Sequence, residues 1–390
     1  MPEITLSPRG KALAAACGLN EVDILTTADT LSAAAAANNI DLSGAVVIGL
    51  DVNGPIVAVD NNDLMPLPRA KDCIDLLMAC NGVSVALMTG WDLSSMTFFR
   101  EERLALSRLG IVGEYGMVYK KGEKVTFIYP YSDAEALGFL QTAIDIAAAD
   151  GLKFAIQGNY SSGVGPVIVE ADHNGHLFDH PLVKGRTPTI EKLYAEAKAS
   201  TKCDLKEGKV IFENKVENLK GIFEALARKH PLTSVRFRRV AGDTVSFEMD
   251  PQDKPGFTFA DLQKLGEVFT QRTGRRCMVY EDFGIDCFAK AVDEGDYYKQ
   301  AGLHAYGKDV LGTEKFVKII VGDKANDAPK VFEGTLFCPM RGTQAEAYAA
   351  EKKIPSASVG DARDFAIALA AIRDGAKGAG GCGCGCCCKK

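Results

Sequence analysis

The sequence predicts an α/β protein in which a mostly parallel sheet is interrupted by an inserted α+β unit. Three observations carry this expectation. Short continuous apolar runs at residues 45–50, 83–88 and 316–321 read as strands buried on both faces. Helix-prone stretches separate such runs, the rhythm of βαβ units. Between about residues 116 and 289 the rhythm changes to alternating segments mixed with helices, which suits hairpins.

The elements follow in order. Residues 1–43 are Ala-rich and helix-prone, with Thr26, Thr27 and Asp29 as candidate caps near the run from Ala33 to Ala37. The first strand, 45–50, ends at Asp51, Val52, Asn53 and Gly54. A helix over 70–80 leads to the strand 83–88, which ends at Thr89 and Gly90, and a third strand lies at 109–112. Strand segments follow at 117–119, 125–129, 166–170, 209–213, 234–239 and 244–249, with helices at 132–149, 215–229 and 259–273. The parallel rhythm returns with a helix at 297–303, the strand 316–321 ending at Gly322 and Asp323, and a strand-helix pair at 335–339 and 345–353. A short strand at 357–359 and a helix at 364–372 close the folded part. The expected organisation is an N-terminal helical extension (1–43), a core domain (44–115 and 290–374), an inserted domain (116–289) and a disordered tail (375–390).

Composition excludes several function classes. The 390 residues carry 45 Lys plus Arg against 51 Asp plus Glu, a net charge of -6, which argues against a dedicated nucleic-acid binder. Hydrophobic residues make up 47% and charged residues 25%, enough for a sizeable core. No apolar stretch is long enough for a transmembrane helix. The first 20 residues carry Glu3, Arg9 and Lys11 and no long apolar run, so no secretory signal and a cytoplasmic location are expected. Of 12 cysteines, seven are scattered and read as reduced core residues. The other five, Cys382, Cys384, Cys386, Cys387 and Cys388, crowd into the tail. Such a tail can bind a soft metal, carry S-acyl chains, or be an incidental disordered segment.

Ligands of open α/β sheets bind at the carboxyl ends of the strands. Here those ends deliver Asp51, Thr89 and Asp323, with Asp327 close behind. Lys299, on the preceding helix, could reach the same point; Lys308 and Lys315 are alternatives. Asp51, Asp323 and Asp327 supply the oxygen ligands that Mg²⁺ takes. Thr89 and Lys299 suit phosphate oxygens, and an aspartate attacking phosphorus would form an acyl-phosphate.

These residues carry a resemblance. The strand ending in Asp51, Val52, Asn53, Gly54 resembles the first motif of the haloacid dehalogenase (HAD) superfamily, D-x-D-G after a hydrophobic strand. Leu87, Met88, Thr89 and Gly90 resemble the second motif. Lys299, 23 positions before Gly322, resembles the third-motif Lys, and the run from Gly322 to Asp327 matches G-D-x-x-N-D. An insertion between the second and third motifs resembles the C2-capped subclass, which includes phosphatases of mannosyl-3-phosphoglycerate, sucrose phosphate and trehalose phosphate. The resemblance implies a Rossmann-like core and a C2-type α+β cap. It implies catalytic roles for Asp51, Asn53, Thr89 and Lys299, and phosphoryl binding by Thr89, Gly90 and Lys299. It implies Mg²⁺ held by Asp51, the Asn53 carbonyl, Asp323 and Asp327, with a sugar phosphate or similar small phosphorylated metabolite as substrate.

The chain departs from the family at one functional position. Where the second aspartate of D-x-D serves as general acid/base, this sequence has Asn53, which cannot exchange a proton near neutral pH. The expected activity is therefore a slow Mg²⁺-dependent phosphate-monoester phosphatase. The alternatives are a phospho-ligand binding or regulatory protein and a phosphoryl-transfer enzyme. In the inserted region, His173, His176 and His180 have a helical spacing that Asn174-Gly175 contradicts. Arg236 and Arg238 share a strand face there, with Arg239 adjacent, and either meet an anionic substrate or face solvent. The Ser161 to Gly165 segment has no helix signal after it and is not read as a phosphate loop.

Overall fold

The structure is a computed structural model. It describes residues 4–58, 64–91, 93–128 and 298–379, and between them 142, 145, 154–160, 167–171, 177–179, 191, 194–195, 198–199, 202–213, 232–239, 259–274, 277–280 and 284–288. The chain divides into two compact units, one of Met1–Gly90, Met96–Lys124 and Glu294–Lys390, the other of Trp91–Ser95 and Val125–Asp293.

The first unit opens with helices α1 (Pro8–Ala16) and α2 (Glu21–Ala37). The Ser7 side chain accepts the Gly10 N–H to start α1, with Pro8 at the first helical position, and Asn20 accepts the Val22 N–H to start α2. The expected caps were further along: Thr26 and Thr27 instead lie inside α2 and donate their hydroxyls back to the carbonyls of Val22 and Asp23. That bond satisfies a hydroxyl in mid-helix, so a Thr need not mark a start. Next come β1 (Val46–Leu50), α3 (Ala70–Met78), β2 (Val83–Met88), β3 (Gly110–Gly113) and β4 (Val118–Lys121), while α4 (Leu93–Phe98) and β5 (Lys124–Phe127) straddle the division between the units.

Among the described residues the second unit contributes β6 (Phe154–Tyr160), β7 (Val167–Ala171), β8 (Leu177–Asp179), β9 (Cys203–Lys206), β10 (Lys209–Phe212), β11 (Leu232–Arg239), α5 (Phe259–Thr273), β12 (Cys277–Tyr280) and β13 (Gly284–Phe288). Its sheet has the order β12-β13-β11-β6-β7-β8-β10-β9, with every neighbouring pair antiparallel. Together with α5 this is the α+β composition expected of the inserted region. The expected elements at 215–229 and 244–249, the three histidines and the Ser161 to Gly165 segment lie outside the described residues. Of the expected helix at 132–149, Thr142 and Asp145 are described, both helical.

The chain then returns to the first unit through α6 (Tyr298–Leu311), β14 (Val317–Gly322), β15 (Thr335–Pro339), α7 (Gln344–Lys352) and α8 (Ala362–Ala379). The seven-stranded sheet has the order β15-β14-β1-β2-β3-β4-β5. Its first five strands are parallel, and β4 runs antiparallel to β3. Strand β1 sits between β14 and β2 and is buried along its whole length, which is why its sequence is continuously apolar. The segment at 117–119, expected to begin the inserted unit, corresponds to β4 of this first sheet, and β5, which covers 125–127, joins the same sheet although the division between the units falls after Lys124. Alternation marks a half-buried strand but not the sheet that it joins.

Two further differences concern the ends. Helices α1 and α2, in the expected N-terminal helical segment, belong to the first unit and pack on α8, which also packs on α3. Buried Asp364 of α8 shares the Thr27 hydroxyl of α2 with the Asp23 carbonyl, and Arg373 of α8 donates to the carbonyls of Leu42, Ser43, Gly44 and Asn81. The helix also runs on through residues 375–379, which composition assigned to the tail; its Gly and Ala residues follow a buried amphipathic stretch that carries the helix forward.

Candidate active site

The site is assembled where β1 and β14 end side by side. Strand β1 hands over to Asp51, whose N–H donates to the Val321 carbonyl of β14. Strand β14 ends at Gly322 and delivers Asp323, and a single 3₁₀ turn (Ala325–Asp327) returns Asp327 to the same place. All three aspartates are buried, and one carboxylate oxygen from each lies within 4.8 Å of the others.

Lys299, in the first turn of α6, is buried and reaches this cluster. Its Nζ donates to Asp51 Oδ1 at 3.0 Å and to Asp327 Oδ1. The second Asp327 oxygen accepts the backbone N–H groups of Asp323 (3.1 Å) and Lys324 (3.0 Å). Both oxygens of Asp327 are thus engaged in holding the turn and the lysine. Asp323 differs: among the described residues its Oδ1 is buried without a hydrogen-bond partner, as is Asn326 Oδ1 on the same turn. The alternative lysines lie elsewhere. Lys308 is exposed and pairs with Glu314, and Lys315 is exposed.

The electrostatics follow from burial. Three carboxylates face one ammonium in a site nearly closed to water. Burial, reinforced by Asp327 and opposed by Lys299, pushes the Asp51 carboxyl up to about 8. Burial and then the Asp327 charge push Asp323 up to about 6. A divalent cation is the complement to this excess of negative charge. The donors are hard oxygens, and the buried Asp323 Oδ1, which has no partner among the described residues, is a ready ligand atom. These residues fit Mg²⁺.

Backbone geometry permits the close approach. Gly54 follows Asn53 with φ +84°, and a methyl group there would stand 2.6 Å from the Asp323 Cγ. Asn53 itself is half-buried and forms an isolated bridge with Val57, while the Gly54 N–H donates to the Val57 carbonyl. The loop after β1 is therefore folded back on itself beside Asp323.

Thr89, buried at the end of β2, donates its N–H to Val112 and accepts the Tyr115 N–H on its carbonyl. A side chain on Gly90 would overlap the Tyr115 ring. The same ring lies 5.7 Å from Lys299 Nζ. Sequence reasoning missed Tyr115. It sits in the turn Glu114–Gly116 after β3, where Glu114 (φ +51°) and Tyr115 (φ +56°) are both left-handed. That conformation brings Gly116 against Gly302 of α6: a methyl group on Gly302 would stand 2.5 Å from the Gly116 Cα. Nothing in the local sequence announces two consecutive left-handed non-glycine residues. The flanking glycines, Gly113 and Gly116, mark a turn but not which residues within it are left-handed.

The structure thus brings Asp51, Lys299, Asp323 and Asp327 together, with Gly54 against Asp323 and Thr89-Gly90 joined to Lys299 through Tyr115. Arg236, Arg238 and Arg239 lie on β11 of the second unit, where register pairs Arg236 with Gln157 and Asp286.

No family model matches the chain, and no curated protein matches it. Solved structures that it is similar to include a haloacid dehalogenase-like hydrolase from Bacteroides thetaiotaomicron (12% identity, 85% of this chain and 99% of that chain, TM-score 0.48). A sugar phosphatase of HAD subclass IIB shares 13% identity over 85% of this chain and 99% of that chain, with a TM-score of 0.47. A protein from Thermotoga maritima shares 14% identity over 85% of this chain and 97% of that chain, also with a TM-score of 0.47. The site's own geometry, rather than these distant likenesses, bears the functional reading.

Proposed function

We propose that this protein is a Mg²⁺-dependent phosphate-monoester phosphatase that works through an aspartyl-phosphate on Asp51. One observation carries the reading: a buried lysine bridges Asp51 and Asp327 while an unpartnered Asp323 oxygen faces the same few ångströms. The residues that would hold the metal are Asp51 and Asp323, with the Asn53 carbonyl from the folded-back loop. Asp327, whose oxygens are engaged by Lys299 and two backbone amides, would support the site from behind. Bound there, Mg²⁺ would neutralise the carboxylates and an incoming phosphate, keeping Asp51 anionic and nucleophilic.

Asp51 attacks phosphorus through a carboxylate oxygen, and the bond from phosphorus to the ester oxygen breaks. The Lys299 ammonium, already 3.0 Å from Asp51, and the Thr89 hydroxyl hold the transferring oxygens and spread their charge. The departing alkoxide takes a proton from water, because Asn53 has none to give. Water then attacks the acyl-phosphate, releasing phosphate and restoring Asp51. The absent acid/base makes both proton transfers slow, so turnover is slow relative to an enzyme with a carboxylic acid at this position. A small phosphorylated metabolite, a sugar phosphate foremost, is the proposed substrate class.

The test is phosphate release from a panel of phosphate esters with and without Mg²⁺. Wild type releases phosphate only with the metal and carries a phosphoryl adduct mapped to Asp51 after rapid acid quench; Asp51→Asn shows neither. Equal release by Asp51→Asn would overturn the mechanism. Ester binding without release or adduct would make the protein a phospho-ligand binder instead.

A further inference from the structure

The scattered cysteines read as inert core residues from the sequence, but the fold brings two of them together. Cys17 is the half-buried C-cap of α1, and Cys73 is buried in the first turn of α3. Their sulfurs stand 3.7 Å apart although the residues are 56 positions apart in the chain. Two sulfurs in van der Waals contact need to close by less than about 2 Å to reach a disulfide bond length. Cys17 is on the side able to move: it ends its helix and is followed by Gly18 (φ +67°) in the short turn to α2. Cys73 is held within its helix. Arg363, at the start of α8, places a positive charge beside both sulfurs, and Asp361 lies close by.

We propose that Cys17 and Cys73 form a reversible intramolecular disulfide when the protein meets a hydroperoxide. The more exposed sulfur reacts first. The Cys17 thiolate attacks a peroxide oxygen, the O–O bond breaks, and Cys17 becomes a sulfenic acid as hydroxide leaves and takes up the thiol proton. The Cys73 sulfur then attacks Cys17 Sγ, the S–O bond breaks, and hydroxide leaves with the Cys73 proton as a second water. Two thiols lose two electrons, and one hydrogen peroxide becomes two waters. Burial, reinforced by the neighbouring Cys17, pushes the Cys73 thiol up, so it does not compete for the peroxide; its attack in the second step rests on a target already in contact.

The bridge would close a loop containing β1 and the Asp51 segment and tie the N-terminal helices to α3. Restricting the unfolded chain in this way raises thermal stability, here by about 5–10 °C in Tm.

The experiment treats the full-length chain with stoichiometric hydrogen peroxide, then digests it without reduction. The expected product is one cross-linked peptide pair joining Cys17 to Cys73, lighter by two hydrogens than its separate parts and released by dithiothreitol. The oxidised chain shows the Tm rise, and Cys17→Ser, a change at a partly exposed cap, loses both the cross-link and the rise. Linkage of Cys17 to a tail cysteine, over-oxidation of Cys17 to a sulfinic acid with Cys73 still a thiol, or recovery of both as free thiols would overturn the proposal. Because the readout is a covalent bond and a melting temperature, it stands apart from the phosphatase reading.

Discussion

Asn53 decides how fast the proposed chemistry runs. Its loop is folded back through the Val57 bridge, and its neighbour Gly54 lies against Asp323. The proposed metal ligation would use the Asn53 backbone carbonyl, whatever the side chain is. Only proton transfer is missing, and a general acid/base is worth about 10²–10⁴-fold. Asn53→Asp is expected to raise the phosphate-release kcat by at least about tenfold with little change in KM. An unchanged kcat in a steady-state assay would place the proton donor elsewhere. Tyr115 shows the other side of residue-level reading. Its left-handed backbone, and that of Glu114, carries strain of order 1–3 kcal/mol per residue. That strain is sustained because the turn joins Thr89, Gly90 and α6 in one contact.

At the scale of elements, α6 delivers the lysine. It lies across β1, β2, β3 and β4, with Gly302 against Gly116, three residues beyond Lys299. A side chain at Gly302 must push the helix off the 114–116 turn and draw Lys299 away from Asp51. Gly302→Val is expected to cut phosphate release about as far as Lys299→Met does, with a stability loss of about 1–3 kcal/mol. Circular dichroism and denaturant titration separate the two effects: a folded protein with wild-type activity would show that α6 is not positioned by this contact. Helix α8 plays the structural counterpart. Its Arg373 satisfies four loop carbonyls, so its start and end are both tied into the unit.

For the whole molecule, the acidic site is a source of instability. Buried carboxylates exceed buried ammonium groups there, and both Asp51 and Asp323 are pushed above the ordinary carboxylate range by burial. A ligand that binds only the folded state stabilises it, by about 2.7 kcal/mol at 100 times its Kd. Mg²⁺ is therefore expected to raise Tm, and chelation to reverse the rise. Asp323→Asn removes one uncompensated charge, so it should melt higher than wild type without metal and lose most of the Mg²⁺ response. Thermal denaturation with and without a chelator reads both; a full Mg²⁺ shift in Asp323→Asn would remove Asp323 from the metal site.

Local pattern determined a large part of this protein. Continuous apolar runs marked the strands of the parallel sheet because burial on both faces leaves no room for alternation. The polar residues where those runs stop, Asp51, Thr89 and Asp323, belong to the proposed site, since strand ends are where an open sheet exposes its chain. Tertiary structure decided the rest. Lys299 rather than Lys308 or Lys315 reaches Asp51 because α6 is docked by glycine contacts, and the bond spans 248 positions. Asp327 turns inward to hold Lys299, and Cys17 meets Cys73. Each of these depends on a partner distant in the chain, and periodicity carries no information about which distant surface a residue will meet.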